Sequence, residues 1–459
     1  MHIIAIFLSI FYFGQAGPYI GAPQIIADCL CEQSSDTIIV NNVLDAGEGS
    51  LRCAILCANT NTDYSIIRFE LGSDSTIVLQ SSLPVLEEAL SIECTQGKIT
   101  IDGQLLTDPG QHGFRVSGEN IRISGLRIEN FPNNAIDNYQ GYKYVTIHDN
   151  IIINNGKASE SGDGIDFRLA SNCSITNNHI QFNNKDGIYL QACSDFVLKG
   201  NTILENHQDG INVFSGDFIM IGDSCNNCSN LISGNGENGI KIFKESKHLN
   251  IFNNIIGLSP ELNISMANGV NGIKIENCDS IILGGPGQSN YISGNGMAGI
   301  ELSDSCSYIS IRNNQIGLSP FPNVFIPNTV YGVKILRSEF IEIGGDSLIY
   351  GNYIGYNPVN IYIGDSSKYC SLRHNEFNCS INSIQIEAGS NEDIPINNSF
   401  EITNALMVQG NAEPNSEIQL YKKNNECVTC QGSVLIGTAF SFDGTWEIEL
   451  SEVLVNGDI

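Results

Sequence analysis

Three short segments that each begin with an aspartate recur at regular spacing in the middle of the chain. They are Asp163-Gly164-Ile165, Asp186-Gly187-Ile188 and Asp209-Gly210-Ile211, and successive copies are separated by 23 residues. A fixed repeat of this length is typical of a solenoid, in which equivalent positions of neighbouring turns lie about 4.8 Å apart. The three carboxylates would then form a column, in which they raise one another's pKa or share a bound cation.

Such a column has the groups needed for two kinds of catalysis. A pair of carboxylates hydrolyses a glycosidic bond, whereas acidic ligands of a cation, combined with a base, remove a proton from a sugar ring. The candidate catalytic residues are those of the column and its neighbours: Asp163, Asp166, Asp186, Asp209 and Lys185. The column residues Asp163, Asp186 and Asp209 are also candidate ligands of calcium, because this ion prefers carboxylate oxygens.

A structural interpretation of the same aspartates is also open. Asp before Gly is a common turn signal. The equivalent position in later turns carries Asn238, Asn271, Ala298 and Tyr331. This drift favours turn conformation over catalysis as the reason for the column. The restriction of Asp to three turns keeps the site hypothesis open.

The strands that must position these residues are indicated by a row of β-branched aliphatic residues. Ile or Val stands at positions 136, 165, 188, 211, 240, 273, 300, 333, 361 and 384. From the second copy onward, another apolar residue follows two positions later. This alternation predicts half-buried strands with one row of side chains inside and the intervening row outside. Tyr189, Lys241, Lys274 and Lys334 belong to the outer row and are candidate binding residues.

A row of asparagines occupies the other half of each repeat. Asn tolerates the left-handed backbone conformation and bonds to neighbouring main chain, so turns select it. Stacked on successive turns, these side chains are expected to form an amide ladder with a structural role. The row consists of Asn150, Asn178, Asn201, Asn230, Asn254, Asn290, Asn314, Asn352 and Asn375.

These patterns predict an all-β chain that forms a right-handed parallel β-helix of about ten to twelve turns over residues 36–393. Residues 36–62 are expected to form an N-terminal cap, in which a short helix follows Ser50 and covers the open apolar end. The pattern changes near residue 394. Residues 394–459, which include Trp446, predict a small, incomplete immunoglobulin-like β-sandwich.

Two segments indicate an internal duplication of two turns. Residues 229–236 and 256–260 return 60 positions later as residues 289–296 and 316–320. The insertions at residues 261–271 and 321–331 are therefore expected on the same side of the rod. Paired loops on a rigid scaffold commonly bind ligands.

Composition limits the partners and the location. With a formal charge of −28 over 459 residues, the chain lacks the basic residues needed to bind nucleic acid or an anionic membrane. An apolar segment from Ile3 to Gly14 predicts a signal peptide over residues 1–27, with no transmembrane segment after it. We therefore expect a secreted or cell-surface protein, and a monomer. Some of the 15 cysteines would form disulfides there, and five in the repeats are expected to pack inside the solenoid.

The N-terminal region carries a specific resemblance. Asp45-Ala46-Gly47-Glu48-Gly49-Ser50-Leu51-Arg52, with Ala54-Ile55 and Asn59, resembles the opening of bacterial secreted and surface proteins with a CSLREA-type N-terminus. Those proteins have right-handed parallel β-helix repeats of the pectate-lyase-like superfamily, and immunoglobulin-like domains are appended to such helices. The resemblance implies a β-helix outside the cell with a role connected to glycans. The sequence departs from the family at Ser259 and Ser319, where the family often has Asp, and it lacks the motifs of polygalacturonase-like hydrolases.

Two functions follow as hypotheses. The first is a secreted or surface β-helix that binds polysaccharide or serves as an adhesive rod. The second is a polysaccharide lyase or glycoside hydrolase that uses the acidic face. A groove in which several of the aspartates face a Lys or Arg would favour the enzyme. Carboxylates folded onto turn amides would favour the binding protein.

Overall fold

The computed structural model describes Cys29, Cys31 and residues 36–157, 162–225, 228–390, 399–404, 407–411, 416–423, 431–441 and 445–449. The predicted signal peptide lies outside this part of the chain and stays a prediction. Among the described residues, no helix is both long and apolar enough to span a membrane.

Most of the described chain winds into a right-handed parallel β-helix, in which a complete turn contributes one strand to each of three sheets. The first sheet is 13-stranded and consists of β1 (Thr37–Val40), β2 (Ser65–Phe69), β4 (Leu90–Glu93), β7 (Arg122–Ser124), β10 (Thr146–His148), β13 (Ser171–Thr176), β16 (Ser194–Lys199), β19 (Asp217–Ile221), β22 (Asn250–Ile251), β25 (Ile282–Leu283), β28 (Ser307–Ile311), β31 (Glu339–Gly344) and β34 (Ser371–Arg373).

The second sheet runs beside the first. Its parallel strands are β3 (Thr76–Val78), β5 (Ile99–Asp102), β8 (Leu126–Glu129), β11 (Ile151–Ile153), β14 (His179–Gln181), β17 (Thr202–Leu204), β20 (Leu231–Ser233), β23 (Ile255–Ile256), β26 (Tyr291–Ile292), β29 (Gln315–Ile316), β32 (Tyr353–Gly355) and β35 (Glu376–Ser380).

The third sheet is 11-stranded and carries the predicted site residues. It consists of β6 (Phe114–Arg115), β9 (Ile136–Asn138), β12 (Ile165–Arg168), β15 (Ile188–Gln191), β18 (Ile211–Phe214), β21 (Ile240–Phe243), β24 (Ile273–Glu276), β27 (Ala298–Ser303), β30 (Tyr331–Leu336), β33 (Val359–Gly364) and β36 (Asn382–Ile386).

The predicted aliphatic rows form the interior of the solenoid. Ile165, Ile188 and Ile211 are register partners in β12, β15 and β18, and each is fully buried. Burial of a side chain of this size contributes about 1.5–3 kcal/mol. The glycine before each isoleucine is required by space, because a Cβ atom on Gly187 would lie 2.6 Å from the carbonyl oxygen of Gly210.

One predicted inward position is different. The repeat predicts a buried Ile384, but this side chain in β36 is 43% exposed. β36 is the last strand of the third sheet, so no described strand of that sheet pairs with its free edge. The row of buried aliphatic residues therefore ends at β33.

The described strands that follow the solenoid are antiparallel. They are β37 (Ser399–Asn404), β38 (Met407–Asn411), β39 (Ser416–Lys423), β40 (Gln431–Ser441) and β41 (Thr445–Glu449). β40 pairs with β35 and so extends the second sheet, whereas β37, β38 and β41 form a separate sheet. Trp446 is only 5% exposed. The immunoglobulin-like identity of residues 394–459 stays a prediction.

The predicted helix is present as α1 (Leu51–Thr60). Ser50 begins it as expected, because its Oγ atom accepts a hydrogen bond from the N–H of Cys53 at 3.2 Å. Leu51, Ile55 and Ala58 share one face and are buried in the core. Disulfides Cys29–Cys53 and Cys31–Cys57 join this helix to the chain before β1.

The five cysteines expected inside the solenoid are all buried. They are Cys173, Cys193, Cys278, Cys306 and Cys370. Each thiol donates to a backbone carbonyl at 3.2–3.6 Å. This confirms that they fill interior positions of the repeat.

The predicted asparagine ladder is continuous from Asn150 to Asn375. Asn201 shows its geometry: Oδ1 accepts from the backbone N–H and the side-chain Nδ2 of Asn178, at 3.0 and 3.1 Å. Its own Nδ2 donates to the carbonyl of Ile175 at 2.8 Å and to Asn230 Oδ1 at 3.1 Å. A second ladder of the same kind was not predicted and consists of Asn155, Asn183, Asn206, Asn235, Asn268, Asn295, Asn328 and Asn357.

The two predicted insertions emerge on the same side of the rod. Leu258 pairs with Ser265, and Leu318 pairs with Phe325, each as an antiparallel bridge at the base of its loop. The hydroxyl of Ser319 donates to the carbonyl of Leu262 at 2.6 Å, so the loops are in contact.

Candidate functional site

The outward side chains of the third sheet form one continuous row along the rod, here named the polar row. It brings together the four predicted binding residues and Asp166. From its N-terminal end the polar row consists of Arg115, Asp137, Asp166, Tyr189, Asn212, Lys241, Lys274, Glu301, Lys334, Tyr362 and Gln385. Neighbouring members stand on adjacent strands, about 4.8 Å apart.

The lysines of the polar row are partly open to solvent. The side chains of Lys241, Lys274 and Lys334 are 25%, 26% and 18% exposed. Lys334 Nζ lies 3.2 Å from Glu301 Oε2, and Lys274 Nζ lies 3.3 Å from Glu276 Oε2. The lysines therefore present ammonium donors to a ligand, whereas Asp137, Asp166 and Asn212 of the same row are buried.

The three column residues Asp163, Asp186 and Asp209, here named the acidic column, lie beside the polar row at the turn that leads into the third sheet. Each is at most 1% exposed. Asp163 Oδ1 accepts from the N–H of Asp186 at 3.0 Å, and Asp186 Oδ1 accepts from the N–H of Asp209 at 2.9 Å. Asp209 Oδ1 accepts in the same way from Asn238. One oxygen of each carboxylate is thus folded onto a turn amide, as the structural interpretation expects.

The second oxygen of each carboxylate faces a side chain. Lys185 Nζ lies 3.4 Å from Asp163 Oδ2 and 3.9 Å from Asp186 Oδ2. Asn212 Nδ2 donates to Oδ2 of Asp186 and Asp209, at 3.0 and 3.1 Å. Lys185 does face two of the aspartates, which is a feature expected of the enzyme. The buried carboxylates themselves do not reach the surface.

Burial sets the charge state of the acidic column. Burial, and secondly repulsion from Asp186, raises the pKa of Asp163 well above its ordinary value. Burial, and secondly repulsion from Asp209, raises the pKa of Asp186 to about 7. Burial also raises the pKa of Asp209, against hydrogen bonds from Asn238. All three carboxyl groups therefore lose their protons at a higher pH than isolated aspartates do.

The contacts of the acidic column fit calcium poorly. This ion takes about six to eight oxygen ligands. Here the Oδ1 atoms accept from backbone amides, and the Oδ2 atoms face the ammonium group of Lys185 or the amide of Asn212. Calcium binding by Asp163, Asp186 and Asp209 stays a prediction that these contacts do not support.

A second carboxylate pair, which the sequence analysis did not single out, lies at the N-terminal end of the polar row. Asp137 and Asp166 are register partners on β9 and β12, and each is 2% exposed. Asn134 Nδ2 donates to Asp137 Oδ1 and to Asp166 Oδ2, at 3.2 Å in both cases. The predicted catalytic residue Asp166 is therefore paired with Asp137.

Two arginines cover this pair. Arg115 Nε lies 2.9 Å from Asp137 Oδ2, and Arg168 Nη2 lies 2.8 Å from Asp166 Oδ2. Their side chains are 38% and 33% exposed, so they stand between the carboxylates and solvent. Burial raises the pKa of Asp137, whereas Arg115 opposes this effect.

His112 completes the group. Its side chain is 9% exposed, and Nδ1 lies 3.8 Å from Asp137 Oδ1 without a hydrogen-bond partner among the described residues. Burial, and secondly the charge of Arg115, lowers the pKa of His112 to about 3. A neutral imidazole beside two carboxylates has the groups needed for general acid–base catalysis. His112, Asp137 and Asp166 are here named the acid–histidine cluster.

Tyr189 links the acid–histidine cluster to the acidic column. Lys185 Nζ lies 4.7 Å from the centre of its ring, and the guanidinium carbon of Arg168 lies 5.5 Å from it. Arg168 also lies 5.2 Å from the ring of Tyr139. Contacts of this kind hold the cationic side chains against the sheet.

A sequence signal for part of this cluster was available. Asp137 follows Ile136 as Asp166 follows Ile165, and Asn134 precedes Asp137 by the same three residues that separate Asp163 from Asp166. Arg115 lies in the short strand β6 at the start of the sheet, and His112 precedes Arg115 by three residues. No repeated pattern marks these two residues.

Comparison with known proteins supports the fold. A family model described as a right-handed beta helix region matches residues 89–224 and 157–278. The Dettilon tailspike protein is 13% identical with a TM-score of 0.55, over 90% of this chain and 93% of that chain. No curated protein matches the sequence at a significant level.

Two solved structures of enzymes are more distant. The A-module of mannuronan C-5 epimerase AlgE6 from Azotobacter vinelandii is 14% identical over 76% of this chain and 96% of that chain, with a TM-score of 0.48. The catalytic unit of an alpha-1,3-glucanase from Streptomyces thermodiastaticus is 11% identical over 79% and 70%, with a TM-score of 0.46. At these identities the likenesses concern the fold alone. The chain is a right-handed parallel β-helix protein.

Proposed function

We propose that this β-helix binds polysaccharide along its third sheet, with the sugar chain parallel to the axis of the rod. The observation that carries the proposal is the polar row, which presents charged, amide and phenolic side chains at one strand spacing. Sugar hydroxyls both donate and accept hydrogen bonds. Charged and phenolic groups that recur at intervals of one strand, about 4.8 Å, supply partners for such hydroxyls along the rod.

Aromatic rings beside the polar row support the same ligand. Phe214 and Phe243 stand next to it on β18 and β21, with ring centres 5.0 Å apart. Tyr331 lies next to Tyr362 of the polar row itself, with ring centres 5.3 Å apart. Aromatic side chains supply apolar area for the carbon–hydrogen faces of sugars. The third sheet therefore offers both kinds of contact.

Removal of the three lysines of the polar row is expected to weaken binding. In the variant K241Q/K274Q/K334Q, affinity for the bound polysaccharide should fall by about ten- to a hundredfold, because each partly exposed charge contributes about 0.5–1 kcal/mol. The wild-type protein is first incubated with a panel of acidic and neutral polysaccharides, and affinity for those retained is measured by calorimetry.

The matched control is K244Q/K247Q/K368Q, which removes the same charge from exposed positions outside the polar row. Its affinity should stay within about twofold of wild type. Equal losses in both variants would attribute binding to net charge and contradict a site on the third sheet.

A second candidate function is polysaccharide cleavage, which the acid–histidine cluster favours. Register partners on parallel strands stand about 4.8 Å apart, close to the carboxylate spacing of about 5 Å in retaining glycosidases. In this function Asp137 and Asp166 would act on the glycosidic bond, and the arginines would have to move aside. The acidic column and Lys185 would position Tyr189 and Arg168 around them.

Product formation tests this second function. The polysaccharides that the protein retains are analysed for new reducing ends and for unsaturated sugars, with and without calcium. Cleavage by wild type that is lost in D137N and kept in D195N, which changes an exposed aspartate, would establish an enzyme. Retention without any product would leave the binding function alone.

We infer a location outside the cytoplasm from the disulfides of α1, because such bonds persist in oxidising compartments. We also propose that α1 caps the N-terminal end, since its apolar face joins the core beside β1 and β2. The monomer is the expected binding species. The resemblance to proteins with a CSLREA-type N-terminus and an immunoglobulin-like C-terminal domain stands as part of this proposal.

A further inference from the structure

A loop between β19 and β20 carries a disulfide that lies apart from the polar row. In the preceding turn, residues 200–201 alone separate β16 from β17, whereas residues 222–230 separate β19 from β20. This insertion holds Cys225 and Cys228, which are three positions apart and bonded to each other. The carbonyl of Cys228 accepts from the N–H of Gly200 at 3.1 Å, which anchors the loop to the preceding turn.

The two sulfur atoms differ in accessibility. Cys225 is exposed, whereas Cys228 is only 8% exposed. Thiol–disulfide exchange requires a thiolate to approach one sulfur atom along the bond. An external thiolate would therefore attack Cys225, and Cys228 would be the sulfur released.

Charged groups surround the accessible sulfur. Lys199 Nζ lies 3.9 Å from Cys225 Sγ, and Asp223 Oδ2 lies 3.6 Å from it. Lys199 and Asp223 also pair with each other at 3.0 Å. An adjacent ammonium group favours the thiolate form of a reduced cysteine, and an adjacent carboxylate opposes it. The reactivity of Cys225 is therefore set by these two side chains.

Because it closes a short loop, this disulfide is expected to stabilise the fold less than the two disulfides of α1. Those bonds join residues 24 and 26 positions apart, whereas Cys225 and Cys228 are separated by 3. In the chain-entropy account, stabilisation grows with the logarithm of the closed loop. Opening the Cys225–Cys228 bond should therefore change the stability of the solenoid little.

We propose that Cys225 and Cys228 form a thiol–disulfide exchange site that reacts with dithiols. One thiolate of the dithiol attacks Cys225 Sγ, the bond between the two cysteines breaks, and Cys228 leaves as a thiolate that takes up a proton. The second thiol of the reagent then attacks the mixed disulfide and releases Cys225. Two electrons and two protons pass to the protein, and the dithiol becomes a disulfide. The site is independent of polysaccharide binding.

Selective reduction of the full chain tests the proposal. The folded protein is treated with limiting dithiothreitol, trapped with iodoacetamide, and mapped by peptide mass spectrometry. Cys225 and Cys228 should be labelled at least about tenfold faster than the cysteines of α1. Labelling of the α1 cysteines at the same rate, or a Cys225–Cys228 bond that stays intact, would overturn the proposal.

Two charge variants test the role of the neighbours. After reduction, the alkylation rate of Cys225 at pH 7 should fall about three- to tenfold in K199Q and rise in D223N. K247Q removes a distant exposed lysine and should leave the rate unchanged. Equal rates in K199Q and K247Q would show that Lys199 does not tune this sulfur, which contradicts the assigned site.

Discussion

Replacement of Asn201 by alanine is expected to lower the free energy of unfolding by about 3–5 kcal/mol. The side chain is fully buried and takes part in four hydrogen bonds with Asn178, Ile175 and Asn230. The truncation leaves the backbone N–H of Asn178 and the carbonyl of Ile175 without these partners. Chemical denaturation followed by circular dichroism measures the loss.

The control for this experiment is Asn263→Ala, which truncates an exposed asparagine in a loop. It should change the free energy of unfolding by no more than about 0.5 kcal/mol. If Asn201→Ala lowers the free energy of unfolding by less than about 1 kcal/mol, the hydrogen bonds of the ladder contribute little to stability, which contradicts the expected result.

Replacement of Asp186 by asparagine is expected to remove a loss of stability that wild type shows as pH rises from about 4 to about 7. Burial, and secondly repulsion from Asp209, raises the pKa of Asp186 from 3.8 to about 7 in the folded state. Between these values the folded protein holds a proton that the unfolded chain has lost. The free energy of unfolding of wild type therefore falls as pH rises through this window, and the loss is complete above about pH 7.

The asparagine variant removes this ionisation. Its stability relative to wild type should increase from pH 4 to pH 8 by a few kcal/mol, at most about 4. Denaturation midpoints measured across this range give the difference directly. The lowered pKa of His112, at about 3, acts in the opposite sense below pH 6.5, but it is common to both proteins and cancels.

Asp195→Asn is the matched control, because it removes one exposed carboxylate. Its pH profile should run parallel to that of wild type. A constant difference between Asp186→Asn and wild type from pH 4 to pH 8 would contradict a buried, protonated Asp186.

The solenoid could be predicted from the sequence because aliphatic residues that must be buried recur at the same position of every turn. Ile165, Ile188 and Ile211 must be buried together, so their common offset also fixes the register of the outer row. This is why the repeat alone is enough to place Tyr189, Lys241, Lys274 and Lys334 on one face, where the register of the third sheet has them.

The site was predicted less completely because the chemistry of a side chain depends on which of its oxygen atoms is already bonded. The aspartates of the acidic column look like catalytic groups in the sequence. In the fold, Oδ1 of Asp163 and of Asp186 accepts from a turn amide. The groups around Asp166, by contrast, include Asp137 and His112, which lie 29 and 54 positions earlier in the chain, and Arg168, which lies two positions later. Of these, His112 carries no repeated signal.

The pairing of strands that are distant in the sequence at the C-terminal end of the solenoid could not be predicted from the local sequence pattern either. β40 pairs with β35 in antiparallel orientation, and nothing in the sequence of β40 specifies that neighbour. The same limit applies to the disulfides of α1, whose pairing follows from the path of the chain before β1.

The asparagine ladders also explain how a chain of this kind can lengthen. Residues 229–236 and 289–296 are nearly identical and stand two turns apart. Asn230 and Asn290 occupy equivalent rungs, each bonded to the next asparagine above it. A duplicated pair of turns therefore forms the same asparagine hydrogen bonds with the turns before and after it as the original pair does. Gene duplication can extend the rod without inventing an interface, and each added unit is then free to diverge on its outer face.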